Sequence, residues 1–356
     1  MRTAFSRSLE IELPLIQSPM AGVSGADLAV AVSAAGALGF LAGATLPPAM
    51  LREQIAVIRA RTSKPFGVNL FILGTAHVDE SKVARSRELL APFWRELGLA
   101  EELPAQWGQN FLEQFEVLVD AAPPVASFTF GILGSDQVDR LHARGCYVIG
   151  TATTVAEGRA WAAVGADAVS AQAAEAGAHR ATFLDTFEDS LIGGFALYRQ
   201  MAAALGVPVI AAGGIMDGQG IAAALMLGAQ AAQLGTAFIP CPESIAASAW
   251  KSALQEQRSE KTRVTRAFSG RPARGIINRY LQTLQPFEAE LPGYPVQNAL
   301  TTPLRRAAAH AGQAEFLSLW AGQAAALARV LPAGDLVRLL ATEARAALRS
   351  AADLLG

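Results

Sequence analysis

The chain has 356 residues, 52% of them hydrophobic and 17% charged, with a formal net charge of -2. That is long enough for one large domain with a sizeable core and a smaller appendage, and the near-neutral charge provides no basic field for nucleic acid or an anionic membrane surface. Two cysteines, Cys146 and Cys241, rule out a disulfide framework and fit a reducing, cytoplasmic setting.

In chain order, the first residues carry Arg2, Arg7 and Glu10, which interrupt any signal-like apolar run. Apolar runs then alternate with amphipathic stretches. The first run, Leu13–Met20, precedes a predicted helix from Gly25 to Ala35. The second, Leu38–Gly43, precedes Pro47–Arg61. The segment Leu28 to Leu51 holds no charged side chain, but Gly36, Gly39, Gly43, Pro47 and Pro48 punctuate it as a buried strand–helix unit rather than a membrane span. The third run is Pro65–Phe71. A more polar stretch, 74–112, then breaks the rhythm and reads as a helical insertion.

The alternation resumes with a helix near Phe111–Ala121 and strands at Val125–Gly131, Tyr147–Ala152, Ala168–Gln172, Pro208–Ala212 and Ala231–Phe238. Helices fall between them at Asp136–Arg144, Val155–Val164, Phe195–Leu205 and Gly218–Leu227. Eight strands with intervening helices predict an α/β fold, a (β/α)₈ TIM barrel with a smaller helical insertion or lid domain. The expected layout places barrel segments at 1–73 and 113–239 and a lid in 74–112 and 240–300. The remaining residues, 301–356, become a pair of C-terminal helices packed on the barrel, with a break at Pro332-Ala333-Gly334.

A TIM barrel places its site at the C-terminal ends of the strands. There the sequence offers Met20 after the first strand, Asn69 in the third, and Gln172 with the loop Glu175, Gly177, His179 and Arg180 at the sixth. The last two strands end in Gly213-Gly214 and Gln233-Leu234-Gly235-Thr236. Glycines in those two loops let backbone N–H groups close on a phosphate; alternatively, they only make tight turns. With no G-x-G-x-x-G after a strand and no G-x-x-x-x-G-K-[ST], a mononucleotide such as FMN is favoured, although a sugar phosphate would use the same loops. His179 alone of the four histidines sits in a strand-end loop, where it either meets a bound anion or caps backbone groups. Asn69, Gln172 and Gln233 either tie the barrel together or hydrogen-bond a flavin. Glu175 reads as a loop acid with Arg180 as its partner. Tyr280, Tyr294, Trp107 and Arg271 are lid candidates by residue type alone. No metal-ligand spacing and no G-x-S-x-G elbow occurs.

At these positions the chain resembles the class I nitronate monooxygenases, formerly called 2-nitropropane dioxygenases. The matching segments begin with Gln17-Ser18-Pro19-Met20-Ala21-Gly22-Val23, Asn69-Leu70-Phe71, Phe128-Thr129-Phe130-Gly131 and Gly150-Thr151-Ala152-Thr153. They continue with Glu175-Ala176-Gly177, His179-Arg180, Ala211-Ala212-Gly213-Gly214-Ile215, Gln233-Leu234-Gly235-Thr236, Thr265 to Arg274, and Leu319-Trp320-Ala321-Gly322-Gln323. The resemblance implies FMN held by Asn69, Gln172, Gly177, Gly214 and Gln233 to Thr236, with His179 as the active-site histidine. It implies that an anionic nitronate of the propionate 3-nitronate type reacts with O₂ to give a carbonyl compound and nitrite. Ala173 and Ala178 stand where the family pattern usually has glycine, which leaves substrate identity open. A related FMN barrel reductase using NAD(P)H, of the quinone or enoyl-acyl-carrier-protein type, is the second reading, and a non-catalytic flavin binder the third. A homo-oligomer is allowed.

Overall fold

The computed structural model describes residues 1–353. Eight parallel strands form its centre: β1 (Leu15–Gln17), β2 (Gly39–Ala42), β3 (Phe66–Phe71), β4 (Val125–Thr129), β5 (Tyr147–Ala152), β6 (Ala168–Gln172), β8 (Val209–Ala212) and β9 (Ala231–Leu234), with a two-residue strand, β7 (Ala178–His179), lying outside the barrel. Their order is β1-β9-β8-β6-β5-β4-β3-β2. An isolated parallel bridge between Ile16 and Leu38 joins the two ends. At that seam the Gln17 side chain accepts a hydrogen bond from the Phe40 amide at 2.9 Å. The fold is therefore the expected TIM barrel.

The strands' two-residue period builds the site. On the inner face Ile16, Phe40, Val125, Ile149, Ala168, Ile210 and Ala231 form one buried cluster with Phe5, Leu9, Ile11 and Leu38. Phe5 comes from the N-terminal helix Ala4–Ser8, and Leu9 and Ile11 follow it directly. One step further along the strands, the inward positions become Asn69, Ser127, Thr129, Thr151, Ser170, Gln172 and Gln233, which line a cavity. Outward positions such as Val68, Ala126, Phe128, Val148, Val169, Ala211 and Leu234 join the core between strands and helices. The barrel is thus plugged with apolar groups at one end and polar at the other.

Packing of the helical shell is close enough to demand specific residues. A Cβ on Gly39 would lie 2.1 Å from the Ala29 carbonyl oxygen of the helix Ala26–Ala34. Gly39→Ala is expected to cost roughly 3 kcal/mol or more, the upper range for overpacking, because backbone rather than a flexible side chain must move. Urea unfolding checks it, and an unchanged midpoint would contradict this packing.

Residues 74–112 contain the helix Glu80–Glu96. The segment 240–300, read as a lid with helical stretches, holds the short helices Ser248–Ala253 and Arg279–Leu284 but is not helical throughout. It holds β10 (Thr262–Thr265) and β11 (Ala273–Ile276), which form an antiparallel sheet with β7 in the order β10-β11-β7. The C-terminal reading also shifts. One helix, Val296–His310, begins before 301 and lies against Glu80–Glu96, where the Ser86 hydroxyl donates to Gln297 at 2.7 Å. The other, Ala333–Asp353, starts at the Pro332-Ala333-Gly334 break and packs on Gly218–Met226. Leu354 and Leu355 lie outside the described residues. Among the described residues no helix is long and apolar enough to cross a membrane.

Candidate active site

The cavity occupies the C-terminal mouth of the barrel and spans about 1240 Å³ of empty space, its open mouth included. Met20, Asn69, Gln172, Gly177, His179, Gly213, Gly214, Gln233, Gly235 and Thr236 all line it, so the structure brings these sequence candidates together. Leu234 does not join them. Its side chain is 1% exposed and faces the helical shell, leaving only its backbone near the site.

One end of the cavity is a backbone cradle. Gly213 and Gly214 follow β8 with φ of 126° and 70°, conformations that side chains with a Cβ avoid. Gly235 and Thr236 follow β9 and open the short helix Thr236–Phe238. Among the described residues, no acceptor of the protein meets the amides of Gly214, Gly235 or Thr236. Buried or cavity-lining N–H groups without partners are costly, and a phosphate would satisfy them. The Thr236 hydroxyl accepts from the Gly322 amide at 3.0 Å. This ties the cradle to an irregular strap, 311–332, that the sequence reading left out of the site. The strap brings Trp320, Gly322 and Ala324 into the lining. Gly177 packs against it so closely that a Cβ there would meet Ala321 backbone at 2.6 Å.

The middle of the cavity is polar. The Asn69 amide donates to Ser127 at 2.9 Å. Gln233 donates to Ser18 at 3.0 Å. Gln172 donates to the His179 carbonyl at 2.9 Å and accepts from the Ala181 amide at 2.9 Å, so it also shapes the β6 loop. The expected Glu175–Arg180 pair is absent. Glu175 accepts from the Gly194 amide at 2.9 and 3.0 Å, at the start of the helix Gly194–Ala204. Arg180, 1% exposed, donates to the carbonyls of Gln172, Ala173 and Ser190. Each found backbone groups that the folded loop would otherwise have left unsatisfied. Glu157, unnoticed in the sequence, is fully buried and accepts from Thr153, Thr182, Phe183 and Leu184, clamping the same loop to the end of β5.

His179 lies on the cavity wall. Its backbone is held in β7 opposite Ala273. The ring lies 5.6 Å from Phe130, 5.5 Å from Tyr294 and 5.5 Å from Trp320, centroid to centroid. Enclosure by these walls, with the positive charges of Arg271 and Arg305 nearby, pushes its pKa down to about 3, so the ring is neutral at physiological pH. Nε2 is 2.9 Å from the Ser269 hydroxyl, which is also 3.1 Å from the Arg271 carbonyl. That hydroxyl has one proton and two acceptors in reach. Given to Arg271 O, it leaves the imidazole N–H at Nε2; given to Nε2, it leaves the N–H at Nδ1.

Of the lid candidates, Arg271 and Tyr294 lie beside His179. The Arg271 guanidinium sits 4.2 Å over the Phe130 ring and donates to the Arg180 and Thr182 carbonyls. Tyr280 is fully buried against Phe268, and Trp107 packs on the core; neither lines the cavity. Among the described residues no cluster of His, Cys, Asp and Glu is arranged to hold a metal ion.

The model of the nitronate monooxygenase family matches residues 2–343. The chain belongs to that family. It is 44% identical to the nitronate monooxygenase of Pseudomonas aeruginosa over 97% of its own length and all of that protein's. Among solved structures it is similar to a nitroalkane oxidase from Streptomyces ansochromogenes, with a TM-score of 0.91 and 43% identity, covering 98% of this chain and 99% of that one. The FabK structure from Thermotoga maritima is more distant, with a TM-score of 0.79 and 28% identity over 99% of both chains. This family member is therefore an oxidoreductase built on a TIM barrel.

Proposed function

We propose that the chain is an FMN-dependent nitronate monooxygenase that, with O₂, converts alkyl nitronates of the propionate 3-nitronate type to a carbonyl compound and nitrite. The observation that carries this reading is the cradle of unpartnered amides at Gly214, Gly235 and Thr236, opening onto a barrel mouth whose wall also holds a neutral histidine with two arginines nearby. The residues fit the flavin: the cradle takes the phosphate, and Asn69, Gln172 and Gln233 offer amides to the rest of the molecule. When bound, FMN supplies the electron-transfer and oxygen chemistry.

The protein's own part is binding and orientation. Arg271 and Arg305, which form no ion pair among the described residues, favour an anion near His179. An anion selects the tautomer in which Ser269 donates to Nε2, leaving Nδ1–H to donate to the substrate. Phe130, Tyr294 and Trp320 keep bulk water from the ring, which strengthens that hydrogen bond.

Nitrite release from propionate 3-nitronate in air tests the assignment. Rapid bleaching of the bound flavin by NADPH or NADH under anaerobic conditions, without nitrite release, would place the chain among the related reductases instead. A pH expectation follows from the depressed histidine. With nitronate supplied as the anion, kcat/KM is expected to stay flat from about pH 5.5 to 8.5, because His179 is already neutral above about 3. A loss of activity below an inflection near 6.5 would show that His179 titrates as a solvated histidine.

A further inference from the structure

Four non-glycine residues among those described hold a positive φ: Glu10 at 55°, Ala122 at 44°, Phe130 at 77° and Ala178 at 59°. Two have ordinary reasons. Glu10 follows the short N-terminal helix, and Ala122 is the C-cap of Phe111–Ala121. The other two lie on the cavity wall. Phe130 comes directly after β4, and Ala178 lies within β7, paired with Arg274. Ala178 precedes His179 in the chain, and the Phe130 ring meets the His179 ring edge-on.

Glycine would take either conformation without strain, so the ring and the methyl group are kept at a conformational cost. Strain of this kind persists only where surrounding structure over-determines it. Phe130 is held by the Arg271 guanidinium on its face, by Phe71 at 4.3 Å and by Tyr294 at 5.5 Å. Arg271 is in turn fixed to the Arg180 carbonyl at 2.8 Å. Ala178 is held by its ladder to β11. Neither wall can retreat without breaking these contacts, so the space beside His179 has a fixed size.

We infer that Phe130 and Ala178 form a chain-length gate, specificity-determining residues that confine the substrate's carbon chain to a few atoms. The inference rests on the nitronate reading above. Its test uses the full-length holoprotein and the variants Ala178→Gly and Phe130→Leu. Glycine relieves the backbone at 178, so that variant folds, and leucine keeps an apolar wall at 130.

The readout is kcat/KM along a series of straight-chain nitronates from ethyl to hexyl, with calorimetric Kd values for the matching neutral nitroalkanes. In the wild type kcat/KM is expected to fall with chain length, and each variant is expected to raise the hexyl-to-ethyl ratio by about 10-fold, the scale of one methylene in an apolar pocket. A wild type indifferent to chain length, or ratios within about twofold of wild type in both variants, would overturn the gate. If no nitronate is turned over, the functional reading fails by itself, and the nitroalkane Kd series decides the gate. The same shift in chain-length preference supports it, and an unchanged preference overturns it.

Discussion

Gly235→Glu is expected to yield protein that purifies without flavin. Space alone does not forbid a side chain here: a Cβ on Gly235 would lie 3.4 Å from Met20 Sδ and 3.5 Å from Ser18 Cβ, ordinary contact distances. Charge is the obstacle. The residue belongs to the cradle assigned to a phosphate, and a carboxylate placed there opposes it. Two unit charges about 4 Å apart at an effective dielectric of about 20 repel by ~4 kcal/mol, close to a 10³-fold loss of affinity. Gly235→Ala adds the Cβ without the charge and is expected to retain nearly full flavin. Flavin content per chain, read from absorbance, separates the two. Full occupancy in Gly235→Glu would move the phosphate elsewhere.

His179→Asn is expected to keep the cofactor and lose turnover. Asparagine lacks the reach to hold Ser269 while still presenting an N–H to the substrate, and it vacates a space framed by Phe130, Tyr294 and Trp320. The histidine ring bonds Ser269 and no cradle residue, so flavin content is expected to stay near wild type. Loss of a positioned proton donor commonly costs 10²- to 10⁴-fold, and a fall of about 10² or more in kcat/KM for propionate 3-nitronate is expected. Steady-state nitrite assays check it. Unchanged kinetics would reduce His179 to a wall residue.

The barrel was legible because parallel strands buried on both faces read as short apolar runs separated by helical periodicity. Part of the polar layer was legible too, in Asn69, Gln172 and Gln233; Ser127, Thr129, Thr151 and Ser170 join it on the strands' inward positions. The cradle showed through its glycines. The lid did not. β7 has two residues, β10 (Thr262–Thr265) and β11 (Ala273–Ile276) carry Thr, Arg and Gly instead of an apolar run, and their pairing joins Ala178–His179 to the distant Ala273–Arg274.

The Glu175–Arg180 pair was misread because opposite charges close in a loop suggest an ion pair, whereas burial gave priority to unsatisfied backbone groups. The strap bearing Trp320 and Gly322 holds only two three-residue 3₁₀ turns and a single β-bridge, too little to announce its path. The left-handed backbone of Phe130 leaves no mark in sequence, because phenylalanine normally avoids that region, whereas that of Ala178 is foreshadowed by the glycine the family pattern usually has there. They do answer part of the doubt raised by the two alanines: Ala178 accepts the strained conformation, and Ala173 is fully buried in the core beside β8 without it.

The most direct test of the phosphate cradle is the visible spectrum of the purified protein, with the released cofactor identified and counted after denaturation. Flavin bands and one FMN per chain, with no FAD, are expected. A colourless protein that takes up no FMN at micromolar concentration would contradict it.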